Sequence, residues 1–448
     1  MNYEEARSYL REISAKGSIP GLDAITALLA KLGNPQDSLK FIHIAGTNGK
    51  GSVMAYLDNI LRQAGYRTGR YHSPSLFSYE EEFLVAGIPI AKEQVAFYIT
   101  KIAAAREEIA REGGPSSTIF EVETAMAFLF FLDRKVDLVL LECGMGGLLD
   151  ATNVVSTTLI ELFSSISMDH MQFLGNTLGE IARTKSGIIK PGTVVLTDSQ
   201  EPEVLTELEK TAARAHASLT VLCPDEIHSL KLGLTEQSYI FRGMNITIHL
   251  PGVVQIHNSL LAVMAALALA DMGWSVTKDA IEKGCAKTSW PGRFTVVHEH
   301  PTVIMDGAHN PGAAEMLMKS AESYFPGRKM VYVMGVFADK DYRSVIRITM
   351  NKALAVYTVE TPDNPRALPS AELAEAIRDE AEDSAALEVT SVGNVDKALD
   401  LAMEKAGTDG IVLAFGSLSW LHLVRKHFLN ESSRLSNTSP PDFTGNSL

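Results

Sequence analysis

Residues 40–64, KFIHIAGTNGKGSVMAYLDNILRQA, decide the fold. The apolar, partly β-branched run from Lys40 to Ala45 reads as a strand, GTNGKGS at 46–52 as a glycine-rich turn, and Val53 to Ala64 as a helix. That order builds a phosphate cradle: glycines let backbone N–H groups close around phosphate oxygens, and the following helix N-terminus favours negative charge. Thr47, Asn48, Gly49, Lys50, Gly51 and Ser52 are the candidate contacts, with Lys50 reaching the β/γ phosphates and Ser52 offering an oxygen to Mg²⁺. The loop departs from the usual pattern in its shorter leading spacing and in the glycine between the Lys and the hydroxyl residue.

Outward from this loop, residues 1–35 carry two helical patterns, the second closed by Gly33-Asn34-Pro35 because proline cannot continue a helix. Asp137 to Leu141 is a short apolar run ending at Glu142 and feeding the glycine-rich CGMGG at 143–147, the mark of a buried strand entering a loop. A carboxylate at a strand end near a phosphate loop is a natural second anchor for hard Mg²⁺. Segments 177–186 and 258–272 read as helices, and Gln237 to Leu250 alternates like a hairpin.

From Thr302 onward, apolar strands at 302–306, 330–335, 353–359, 387–392 and 410–415 alternate with helical stretches. Strand-helix alternation predicts a parallel sheet covered by helices. The expected class is therefore α/β: an N-terminal phosphate-loop ATPase domain with a mostly parallel sheet over 1–292, and a smaller C-terminal Rossmann-like α/β domain over 293–429. Trp290-Pro291-Gly292-Arg293 reads as the hinge, and the Ser-, Asn- and Pro-rich 430–448 as a disordered tail.

The 448 residues exceed what one hydrophobic core usually serves, and 46% hydrophobic with 21% charged residues is an ordinary globular balance. A net charge of −14 argues against general nucleic-acid binding, so anionic ligands need local Lys, Arg, metal and backbone amides. Cys143, Cys223 and Cys285 are too scattered for a disulfide framework or thiolate zinc site, which fits a reducing cytoplasm. The acidic, amphipathic MNYEEARSYLREI is not a signal peptide, and the run Leu260 to Ala270 is short of the ~20 residues that span a bilayer, so no membrane partner is expected.

Within Ile166 to Gly192, ISMDHMQFLGNTLGEIARTKSGIIKPG, residue type alone leaves His170 either a structural histidine or a ligand, and Lys185 a surface charge by default. Taken together, HIAGTNGKGS, LECGMGGLLDATN, SMDHMQFLGNTLGEIARTKSGIIKPG, WPGRF, DGAHNP and ADKDY, in this order, resemble the bacterial folylpolyglutamate synthase family of the Mur ligase superfamily. The resemblance covers about residues 3 to 425. It implies an ATP- and Mg²⁺-dependent ligase that joins L-glutamate to a folate carboxylate through an acyl phosphate, acting in the cytoplasm and expected as a monomer with small-molecule partners only.

The resemblance also implies roles. Ser52, Ser73, Glu142 and His170 would hold magnesium; Asn258, Arg293 and Asp306 would contact ATP; and His309 and Ser417 would lie where glutamate and the acyl phosphate are handled. Lys185 matches a lysine that relatives carbamylate, and with Lys50 and His309 it forms the expected catalytic set. Phe77, Phe120 and Asp150 are the expected folate-side residues, although Phe120 fits a plain core helix equally well. Three positions depart from the commoner pattern: Ser75 for His, Val254 for His, and Leu148 for an Arg that would meet the pteroate. The competing readings are a Mur-type ligase with another acid acceptor and a non-catalytic folate- or nucleotide-binding regulator. A silent regulator would be free to lose Lys50, Ser52, Glu142, His170 and His309, and all five are present.

Overall fold

A computed structural model describes residues 1–14, 21–381 and 387–436, with side chains through residue 429. The chain divides into two compact units, Met1–Trp290 and Pro291–Leu448. The helix Leu421–Ser436 runs into the segment 430–448 expected as a disordered tail, and residues 437–448 lie outside the described residues.

In the first unit, β1 (Phe41–Ala45), β2 (Thr68–Tyr71), β3 (Phe83–Val85), β4 (Ile88–Pro89), β5 (Leu138–Glu142), β6 (Thr158–Phe163), β7 (Val194–Thr197) and β8 (Ser218–Val221) form one sheet. Its order is β4-β3-β2-β5-β1-β6-β7-β8. The run β2-β5-β1-β6-β7-β8 is parallel, and β3 pairs antiparallel with both β2 and β4. Strands β1 and β5 are buried at every position, as parallel strands covered on both faces must be. Their alternation assigns the faces: Ile42, Ile44, Leu138 and Leu140 pack under the helices Lys50–Gln63 and Val254–Asp271. Phe41, Val139 and Leu141 pack with the helices Lys92–Arg111 and Ile119–Asp133.

The hairpin expected over 237–250 is β10 (Gln237–Phe241) with β11 (Met244–Ile248), and β9 (Ile227–Lys231), mostly exposed, adds a third strand. Arg242 and Gly243 both have positive φ, 46° and 73°, the conformation a two-residue hairpin turn requires. The helix expected from 258 begins at Val254, after Pro251-Gly252-Val253, which places Gln255 and Asn258 in its first turns. This 18-residue helix is long and apolar enough to cross a membrane by composition, yet 67% of it is buried inside the unit, as a core helix would be.

The second unit holds β12 (Thr295–His298), β13 (Thr302–Asp306), β14 (Met330–Met334), β15 (Ala353–Val359), β16 (Glu388–Gly393) and β17 (Ile411–Phe415), in the order β12-β13-β17-β14-β15-β16. All pairs are parallel except β12–β13. The return of β17 between β13 and β14 makes a crossing point where their carboxyl ends meet, the usual place for a ligand crevice in an open α/β sheet.

Candidate active site

The glycine loop leaves β1 and enters the helix Lys50–Gln63 with Gly49 as its left-handed cap, φ 93°. A Cβ at Gly49 would stand 2.5 Å from Asn258 Oδ1, and one at Gly46 2.0 Å from Ser164 Oγ, so both positions demand glycine for space as well as for φ. The Thr47 and Asn48 amides donate to Ser165 O at 2.8 and 3.2 Å, and Thr47 Oγ1 donates to Ser167 O at 3.0 Å. The end of β6 thus shapes the loop, while the first helical turn presents the amides that have no intrahelical acceptor.

Two lysines converge on one carbonyl. Lys50 Nζ donates to Gly46 O at 3.3 Å and Thr47 O at 3.4 Å, and lies 3.6 Å from Glu142 Oε1. Lys185 Nζ donates to the same Gly46 O at 2.8 Å. Far from being a surface charge, Lys185 is 5% exposed, and burial, followed by the Lys50 charge, pushes its pKa down to about 7. Near neutrality a large share of it is therefore the free amine.

Ser52 is buried, and its hydroxyl oxygen accepts from Gln255 Nε2 at 3.4 Å. Gln255 follows Val254, and its contact with the loop was invisible until the helix start was known. Glu142 is buried at the end of β5. Among the described residues, no three His, Cys, Asp or Glu side chains cluster closely enough to hold a metal. Ser52 and Glu142 offer hard oxygen beside a phosphate loop, which suits Mg²⁺ sharing phosphate oxygens better than a closed protein cage. His170 stands exposed in a left-handed turn, φ 50°, with Asp169 Oδ2 3.9 Å from its Nε2.

The loop Ser73–Phe77 is pinned by consecutive carboxylates. Glu82 Oε1 accepts from the Ser75 amide at 2.8 Å, while Glu81 Oε1 accepts from the Phe77 amide at 2.7 Å and from the Leu76 amide. Phe77 is exposed, and Phe120 sits at the first turn of its helix, stacked on Tyr71 at 6.0 Å and filling the space a Cβ on Gly144 would need. Asp150 is turned inward: it accepts from Met145 N at 2.8 Å and Thr152 N at 3.0 Å, closing the 143–152 loop upon itself. Beneath it, the buried His43 bridges Thr152 Oγ1 at 2.8 Å and Cys143 Sγ at 3.1 Å, a support with no signature in the sequence. Leu148 and Leu149 remain half exposed on the loop's outer side.

Glu82 and Glu123 are both buried. Burial raises the pKa of each above the ordinary 4.5, and the Glu82 charge raises Glu123 further. In the folded chain these carboxyls keep protons that the unfolded chain has already released, so stability falls as pH climbs from the unfolded toward the raised folded values. Glu123→Gln is expected to flatten the decline in melting temperature between about pH 5 and pH 8. Parallel melting curves for variant and parent across that range would contradict it.

In the second unit, Asp306 ends β13 and accepts from Phe294 N at 2.7 Å and Ala308 N at 2.8 Å. Desolvation raises its pKa while Arg293 pulls it down, and the Arg293 guanidinium lies where a Cβ on Gly307 would be, 2.4 Å from Nη1. His309 Nδ1 is 2.7 Å from Gly307 O, and Asn310 Oδ1 caps the helix Pro311–Tyr324. Ser417 follows the neighbouring β17, its hydroxyl accepting from Ser419 N at 3.3 Å. Arg293, Asp306, His309 and Ser417 therefore gather at the carboxyl ends of β13 and β17, while Lys50, Ser52, Ser73, Glu142, Lys185 and Asn258 belong to the first unit.

Residues 44–266 match the Mur ligase middle domain and residues 292–418 the Mur ligase glutamate ligase domain. The chain is 33% identical over 437 residues to the dihydrofolate synthase/folylpolyglutamate synthase of Bacillus subtilis, covering 95% of this chain and 98% of that one. It is 30% identical over 379 residues to the folylpolyglutamate synthase of Lacticaseibacillus casei, covering 83% and 88%. The crystal structure of Mycobacterium tuberculosis folylpolyglutamate synthase complexed with ADP and AMPPCP superposes with a TM-score of 0.84 at 32% identity, covering 94% of this chain and 99% of that one.

Proposed function

The chain belongs to the folylpolyglutamate synthase family of Mur ligases, and from that premise we propose that it joins the amine of L-glutamate to the terminal carboxylate of a folate at the expense of ATP, in the cytoplasm and as a monomer. The observation that carries the reading is the convergence of Lys50 and Lys185 on the Gly46 carbonyl beside Glu142. A folate carboxylate oxygen attacks the γ-phosphorus and ADP leaves; the glutamate nitrogen then attacks the acyl carbon, phosphate leaves, and the nitrogen gives up a proton. Two anions must meet in the first step, and the Lys50 ammonium offsets their repulsion.

Mg²⁺, when bound, neutralises phosphate charge and orients the phosphates; Ser52, Ser73, Glu142 and His170 would hold it. Asn258, beside the loop, and Arg293 and Asp306 of the second unit are the proposed nucleotide contacts, and His309 and Ser417 the proposed contacts for glutamate. Lys185 is the proposed site of a carbamate, which an amine free near neutrality forms by attack on CO₂ with loss of a proton.

On the folate side, Phe77 and Phe120 supply aromatic surface, and Asp150 acts by holding the 143–152 loop. Position 148 presents a half-exposed Leu where a cation would grip the pteroate. Reduced folates already carrying glutamate are therefore expected to be better acceptors than dihydropteroate, with kcat/KM higher by about tenfold. ADP release measured across pteroates, folates and other acids tests both the class and the preference. Equal or faster turnover of dihydropteroate would make the protein bifunctional, and turnover only with a non-folate acid would reject the folate assignment.

A further inference from the structure

Trp290, the last residue of the first unit, is only partly buried, yet it touches two loops of that unit at once. A Cβ at Gly51 would lie 2.7 Å from Cζ2 of the indole, so the first turn of the phosphate-loop helix rests directly on the ring. The His72 imidazole meets the indole edge to face, with centroids 5.0 Å apart and planes at 65°. The Arg70 guanidinium lies 4.9 Å from the ring centroid and is held by Asp58 of the phosphate-loop helix at 3.6 Å. One rigid ring thus separates Gly51, the neighbour of Ser52, from His72, the neighbour of Ser73.

We infer that Trp290 is a positioning residue that sets the spacing between the Ser52 and Ser73 hydroxyls, and with it the gain in nucleotide affinity that Mg²⁺ provides. The inference rests on the proposed assignment of those two hydroxyls. An indole has only two side-chain torsions and cannot be compressed, so it fixes a distance that two flexible loops would otherwise share out between them. Ligand groups on separate loops need such a spacer because errors well under an ångström degrade a metal site.

The test is calorimetric binding of a non-hydrolysable ATP analogue with and without Mg²⁺, together with amide hydrogen exchange. In Trp290→Ala the Mg²⁺-dependent gain in affinity should fall by about tenfold or more while metal-free binding changes by less than about threefold. Amides of 46–52 and 72–77 should exchange faster, those of β5 and β6 should not, and Trp290→Phe should keep most of the gain. An undiminished gain in Trp290→Ala, or equal loss of metal-free and Mg²⁺-assisted binding, overturns the inference. Should Trp290→Ala not fold, Gly51→Ala offers the reciprocal test: it should lower the gain, and adding Trp290→Phe should recover part of it by making room. Identical single and double variants would also overturn it. Lys50→Ala separates the two levels, since unchanged nucleotide binding in that variant removes the phosphate-loop assignment itself.

Discussion

Lys50→Ala is expected to lower kcat by about a thousandfold or more while the fold survives, because the ammonium would act on phosphate charge and stabilises no core. Its Nζ donates to loop carbonyls at 3.3 and 3.4 Å and faces Glu142 at 3.6 Å. Truncation removes the cation 3.6 Å from Glu142, so Lys50→Arg is the informative companion: it keeps the charge and changes the shape. Steady-state ADP release at saturating ATP, measured beside a melting curve, checks the expectation. A Lys50→Ala enzyme of near-normal rate and normal stability would show that the loop does not cradle the transferred phosphate.

Lys185→Ala is expected to cost about a hundredfold in kcat, and added formate or acetate should restore part of the loss by returning a carboxylate to the vacated space. Alanine also removes the hydrogen bond to Gly46 O, so the rescue distinguishes lost carbamate charge from a slackened loop. The parent enzyme offers an independent check through pH. The amine loses its proton as pH rises through about 7, so its capture of CO₂, and the bicarbonate dependence of the rate, should grow across that range. A fully active enzyme in CO₂-depleted buffer, with no carbamate carbon visible by ¹³C NMR after labelled bicarbonate, would refute the role.

Much of the candidate site is legible along the chain because its parts are local. A glycine loop between a strand and a helix, and a carboxylate at the end of an apolar strand, are each set by a few consecutive residues whose backbone needs are specific. Other features depend on distant segments. Lys185 in its helix reads as a surface charge, and only the approach of that helix to Gly46 buries it and pulls its pKa down. Asp150 lies in a motif that points to the folate side, yet its carboxylate is taken up by Met145 and Thr152 of its own loop. The outer strand β9, mostly exposed, carries no apolar alternation for a reader to find.

By itself the sequence determined the α/β class, the phosphate loop, the alternating second sheet and the family, since periodicity, glycine placement and motif order are properties of neighbouring residues. Tertiary structure decided which charges share a carbonyl, which acids are raised above the usual carboxylate range and which ring stands between two loops. Those depend on desolvation and on distances between segments far apart in the chain: Gly46 and Lys185, Glu82 and Glu123, Gly51, His72 and Trp290. Burial sets the energy of a charge, and a linear string carries no measure of burial until the chain has folded.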